Sequence, residues 1–175
     1  MMNRLTIFAL AVTMFAAGCG SKTPTSASSS NQVKFTATLL PSNEVPAITN
    51  ADASGRGTST MTLNLTKDSA GAITAASFDF SMDLNSFPAG TTLTAAHIHP
   101  GASGVNGSPL INMGLGAGEI VLVNGAQSGI LKTNLTTNLT PAVAQDIINN
   151  PASYYFNVHT TLNGGGAARG QLVKQ

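Results

Sequence analysis

The chain has 175 residues, with 8 basic and 7 acidic side chains, no Trp and one Cys. Once Arg4 leaves with the leader described below, the charges balance, and a neutral chain lacks the clustered Lys and Arg that draw a protein to nucleic acid. The length fits one domain, and a composition rich in Gly, Ser, Thr and Asn excludes a polytopic membrane protein, a coiled coil and a disulfide scaffold.

Residues 1–18 read as an export signal. Arg4 gives the positive start, and an apolar run follows over 5–17, too short for a bilayer span of about 20 residues. The run ends in Ala16, Ala17 and Gly18, directly before Cys19. A small-small-Cys junction resembles the lipobox of bacterial lipoproteins, in which the thiol is acylated and the chain is cut just before it. The expectation is an exported chain, lipid-anchored through Cys19 to a bacterial membrane at the cell envelope. Residues 19–31 hold no large apolar side chain and read as a flexible Ser/Thr-rich tether, with the folded domain over 32–175.

From Val33 onward the apolar residues recur at period two. Val33, Phe35, Ala37 and Leu39 alternate with polar residues, as do Met61, Leu63 and Leu65, then Phe78, Phe80, Met82 and Leu84. That is the pattern of half-buried strands in antiparallel sheets. Further strands are expected over 93–99, 118–123, 128–135, 154–160 and 168–173. The Asn-Gly pairs at Asn106, Asn124 and Asn163 signal tight turns. Residues 141–149 break the rhythm and read as a short helix, with Thr140 as N-cap and Pro141 at its first position. Seven to nine short strands and one helix predict an all-β antiparallel sandwich or flattened barrel.

Four segments in order resemble the CHRD domain, a family named after chordin. They are Phe35 to Leu39 with Asn43-Glu44-Val45-Pro46, then Ala96-His97-Ile98-His99 with Gly101 and Asn106-Gly107. Tyr155 to Thr160 and Ala168-Arg169-Gly170-Gln171-Leu172 complete the set. One departure is Ala167, where the family usually carries Glu. The resemblance implies an immunoglobulin-like β-barrel with a limited likeness to Cu,Zn superoxide dismutases, and it fixes the fold better than the task.

The three histidines of the chain all fall in these segments. On a regular strand, Leu93, Ala95, His97 and His99 share one face, and Thr94, Ala96 and Ile98 the other. Tyr155, Asn157 and His159 share a face opposite Tyr154, Phe156 and Val158. With Ile98, Phe156 and Val158 in the core, His97, His99 and His159 point outward and form a three-nitrogen surface site for zinc or copper, with Glu44 as a fourth ligand. The alternative for the histidines is hydrogen bonding between strand ends and loops. Glu44 and Arg169 read as a structural ion pair closing the barrel; the alternatives are Glu44 as a ligand and Arg169 facing an anion. The aromatic run 154–156 reads as core with one exposed ring.

His97-Ile98-His99 also resembles the copper-binding His-x-His of Cu,Zn superoxide dismutase, but the sequence has neither a fourth His nor a disulfide. No nucleophile elbow or phosphate loop is present. The expectation is a non-catalytic binding or structural module, with no catalytic residue and no cofactor beyond zinc or copper. The other reading is a metal-dependent enzyme of superoxide-dismutase-like type. No motif identifies a protein or glycan partner.

Overall fold

The computed structural model describes residues 31–175. The leader 1–18, the lipidation candidate Cys19 and residues 20–30 of the tether lie outside the described residues. In chain order the elements are β1 (Gln32–Leu39), β2 (Arg56–Lys67), β3 (Ile73–Asn85), β4 (Thr91–Pro100), β5 (Ile111–Asn112) and β6 (Val121–Leu122). They continue with β7 (Gln127–Leu135), α1 (Pro141–Asn149), β8 (Tyr154–Thr160), β9 (Ala168–Gln171) and β10 (Val173–Lys174).

One antiparallel sheet runs in the order β10-β1-β2-β3-β7. Its alternation comes directly from the sequence. Phe35 sits opposite Met61, and Met61 opposite Phe80, so the bulky apolar residues form rows on one face. The polar face of β3 has a use of its own: Asp79 accepts from the Asn134 backbone N–H and Asp83 from that of Gly129, holding the irregular edge strand β7. The second sheet runs β5-β4-β8-β9, with β6 pairing to the start of β4. The two inner faces make a sandwich core, with Phe80 of the first sheet 5.7 Å from Phe156 of the second between ring centroids. Helix α1 adds Ala144 and Ile147 to this core, and the Thr140 side chain caps it by accepting from the Val143 N–H.

The sandwich is sealed along one side. Leu40, just after β1, exchanges backbone hydrogen bonds with Arg169 of β9 at 3.1 and 3.3 Å. A Cβ on Gly170 would lie 2.1 Å from the Thr38 carbonyl oxygen, so only glycine lets β9 pass this close to β1. The chain then crosses at Leu172, which is buried, and β10 pairs with β1 in the other sheet.

Several expectations change at this level. The strand expected over 168–173 is two strands in different sheets, because Leu172 must enter the core at the crossing. That over 118–123 shrinks to two paired residues, Val121 and Leu122, opposite Thr91 and Thr92; beyond them only hydrogen bonds from Leu93 N–H to the Ile120 carbonyl and from Gly118 N–H to the Leu93 carbonyl continue the contact. The turn expected at Asn106-Gly107 falls at 102–105, closed by the Val105 N–H to the Ala102 carbonyl. Leu93 is fully buried in the core rather than on the histidine face. A bulge causes this: Leu93 and Ala95 lie opposite successive residues Thr160 and His159, so the extra Thr94 inverts the alternation.

Candidate metal centre

The site lies on the outward face of the second sheet. Three cross-strand rows build it. His99 pairs with Tyr155 and Tyr155 with Gln171; His97 pairs with Asn157 and Asn157 with Arg169; Ala95 pairs with His159. Each residue is where strand alternation puts it once Ile98, Phe156 and Val158 face the core.

This outward face is not a free surface. Every residue of β8 is buried, on both faces. His99 and His159 are only 4% and 6% exposed, and His97 is partly buried. The surface site expected from the sequence is therefore a roofed one, because three loops fold over the sheet. The loop after β4 contributes the Gly107 carbonyl, 2.9 Å from His99 Nδ1. The loop after β8 contributes the Gly164 carbonyl, 3.0 Å from His159 Nδ1. The loop after β1 brings Glu44. A polar cluster ties the loops after β1 and β8 together: Asp52 accepts from Thr160 Oγ1 at 2.7 Å and from Asn163 Nδ2 at 2.6 Å.

The hydrogen bonds dictate the tautomers. A carbonyl oxygen only accepts, so His99 and His159 each carry their proton on Nδ1 and present Nε2 as a lone pair. His97 Nδ1 is 3.0 Å from His159 Nε2, so His97 donates and its own Nε2 is the lone pair. One ligand atom from each ring lies within 4.8 Å of the others. Zinc–nitrogen bonds of about 2.0–2.1 Å require nitrogens closer than this, so a bound ion would draw the rings together and replace the His97–His159 hydrogen bond. Backbone carbonyls holding Nδ1–H are the outer support that metal-bound imidazoles use to fix their orientation.

Electrostatics favours the neutral rings. Burial, with the neighbouring rings His159 and His99, lowers the His97 pKa from 6.5 to about 4. Burial also lowers His99 and His159, against the opposing effect of their carbonyl partners. Neutral imidazole is the metal-binding form, so protons do not compete at neutral pH.

Around the histidines lies a layer of polar groups. Arg169 is 2% exposed and spans the roof. Its Nε donates to the Asn43 carbonyl at 2.7 Å, its Nη1 to Asn106 Oδ1 at 2.7 Å, and its guanidinium lies 4.5 Å over the Tyr155 ring. Tyr155 in turn stacks on His99 at 4.8 Å. The ring expected to be exposed is thus sandwiched between a cation and an imidazole. Glu44 Oε2 is 4.0 Å from Arg169 Nε, a distant ion pair without a shared hydrogen bond. Burial outweighs Arg169 and pushes the Glu44 carboxyl up from 4.5 to about 7. Ala167, the departure from the family pattern, is fully buried with the core.

Sequence reasoning brought His97, His99, His159, Glu44 and Arg169 to attention, and the fold gathers them on one face under one roof. The histidines cluster as a ligand group; Glu44 is not part of that group. Asn157, Tyr155 and Asn106 were missed as polar components of the site. For Asn157 the signal was available, since it shares a strand face with His159. A model of the CHRD domain matches residues 35–172. No curated protein sequence and no solved structure matches the chain. The matched span covers both sheets except the start of β1 and strand β10, together with the histidines, Glu44 and Arg169, and the chain belongs to the CHRD domain family.

Proposed function

We propose that this protein is an exported cell-envelope lipoprotein, held to a membrane by a lipid on Cys19, whose CHRD domain is a non-catalytic binding module for zinc or copper. One observation carries the metal reading. His99 Nε2 is a buried lone pair with no hydrogen-bond partner in the protein, and it lies in a cluster with His97 and His159. A buried acceptor without a partner costs about 1–3 kcal/mol, and a cation on that lone pair removes the cost. Three imidazole nitrogens suit zinc or copper, and the supporting carbonyls already select the tautomers of His99 and His159.

The test is a calorimetric titration of zinc and copper into protein purified without a polyhistidine tag. The wild type is expected to bind one ion at micromolar affinity or better. His97→Ala, His99→Ala and His159→Ala should each weaken binding by about a hundredfold, since each removes a ligand. Millimolar or absent binding in the wild type, or equal binding in all four proteins, leaves the histidines as hydrogen-bonding struts between strands and loops.

A further inference from the structure

Among the described residues, the buried side-chain atoms that lack a hydrogen-bond partner are Glu44 Oε1, His99 Nε2, Asn157 Oδ1 and Arg169 Nη2. Buried polar atoms are normally paired, and exceptions scattered over a protein would suggest nothing in particular. Here all the exceptions belong to one place. Asn157 is the cross-strand neighbour of both His97 and Arg169. Arg169 covers Tyr155, which stacks on His99, and the Arg169 charge acts on the His99 ring. Gly166 closes the group from outside: a Cβ there would lie 2.6 Å from Asn157 Nδ2 and 2.8 Å from Glu44 Oε2.

The chemistry of the set is specific. His99 Nε2 is a metal-binding lone pair. Glu44 Oε1 and Asn157 Oδ1 are two further acceptors, and Arg169 Nη2 is a donor. A bare cation on the histidines satisfies the first and leaves the rest unpaired. A water on that cation offers two protons, one for each free acceptor. A small anion in the same place would meet the Arg169 N–H. A pocket of about 200 Å³ lined by Glu44, Pro46, Ile48, Asn163, Gly165 and Gly166 reaches the edge of the group at Glu44 and Gly166.

We infer that the three imidazoles leave one coordination position open, and that Glu44, Asn157 and Arg169 line it, so that the bound metal carries a water which a small anion can replace. This deepens the metal-binding reading and rests on it. It assigns Glu44 to holding the exchangeable ligand rather than to the metal itself. The exchange is a substitution without redox change: one neutral water leaves the ion and one anion takes its position. The Glu44 carboxylate opposes that anion and Arg169 favours it, so the two side chains set which anions enter.

The experiment uses cobalt(II) as a coloured stand-in for zinc, with azide as the anionic probe. Cobalt is titrated into the wild type, Glu44→Gln, Asn157→Asp and His99→Ala, and azide is then added while the visible spectrum is recorded. The inference expects the wild type to bind cobalt and its spectrum to shift saturably with azide. At pH 8, above the raised Glu44 value of about 7, Glu44→Gln removes a negative charge and should keep the metal while tightening azide about tenfold. Asn157→Asp adds a negative charge and should keep the metal while weakening azide by a similar factor. A cobalt spectrum indifferent to azide in all variants would mean a closed site and overturn the inference while leaving metal binding intact. Loss of cobalt in Glu44→Gln as severe as in His99→Ala would make Glu44 a ligand and also overturn it. Failure of the folded wild type to bind cobalt, zinc or copper would remove the metal reading and this inference together.

Discussion

His97, His99 and His159 share a strand face, yet their chemistry is set by what lies over them. Burial lowers all three pKa values, to about 4 for His97. In the metal-free protein the unfolded chain therefore binds more protons than the fold between the ordinary value of 6.5 and the lowered values. The stability these rings contribute is fully present above pH 6.5 and is lost as pH falls through their lowered values, about 4 for His97. Glu44 has the opposite sign. Its folded pKa is raised from 4.5 to about 7, so its contribution is full below pH 4.5 and is lost as pH rises through about 7. Three groups act against one, and the metal-free protein is expected to weaken on acidification with Glu44 partly offsetting the fall. Glu44→Gln should therefore be relatively more stable than wild type near pH 8 and fall more steeply between pH 6.5 and 4.5. Urea unfolding across that range measures it; parallel profiles for the two proteins would contradict the sign assigned to Glu44.

At the scale of elements, close passages and caps carry the site. Strand β9 must run tight against β1 for Arg169 to reach the roof, and the Gly170 position enforces this. Gly170→Ala should destabilise the domain by about 1–3 kcal/mol or more, since the Thr38 carbonyl has to move. Denaturant unfolding checks it, and an unchanged midpoint would mean that the seam between the sheets is slack. Helix α1 lies away from the histidines. Thr140→Ala removes its N-cap and should cost about 1 kcal/mol, with zinc affinity unaltered at fixed temperature. A large loss of affinity in that variant would tie the helix to the site in a way its packing does not suggest.

For the whole molecule, the core and the site are separable. The apolar rows of both sheets are buried without help from the histidines. Removing metal with a chelator is thus expected to leave the far-ultraviolet circular dichroism unchanged. The melting temperature should fall only by the amount that mass action on a bound ligand predicts. Unfolding on chelation would show instead that metal binding and folding are one event. The proposed anchor belongs to this scale too. Cells making the wild type should incorporate radioactive fatty acid into the protein, and Cys19→Ser should abolish the label; equal labelling would reject the lipoprotein reading.

Strand identity was legible in the sequence because alternation is a local property. Residues two apart must face the same way, so Phe35, Met61 and Phe80 declared the core and His97, His99 and His159 declared a common outward face. The helix was legible for the same reason, through Thr140 and Pro141. Local rules then failed where partners intervene. Leu93 turned inward because pairing with β8 inserts a bulge, and 168–173 divided because Leu172 had to cross between sheets. The roof was beyond local rules altogether. Gly107 and Gly164 meet the histidines and Glu44 meets Arg169 from three separate loops, and only tertiary packing brings those chain segments together. The sequence by itself determined which residues could form the site; the tertiary structure decided that they are buried, neutral and surrounded by unpaired polar atoms, because desolvation depends on what covers a group.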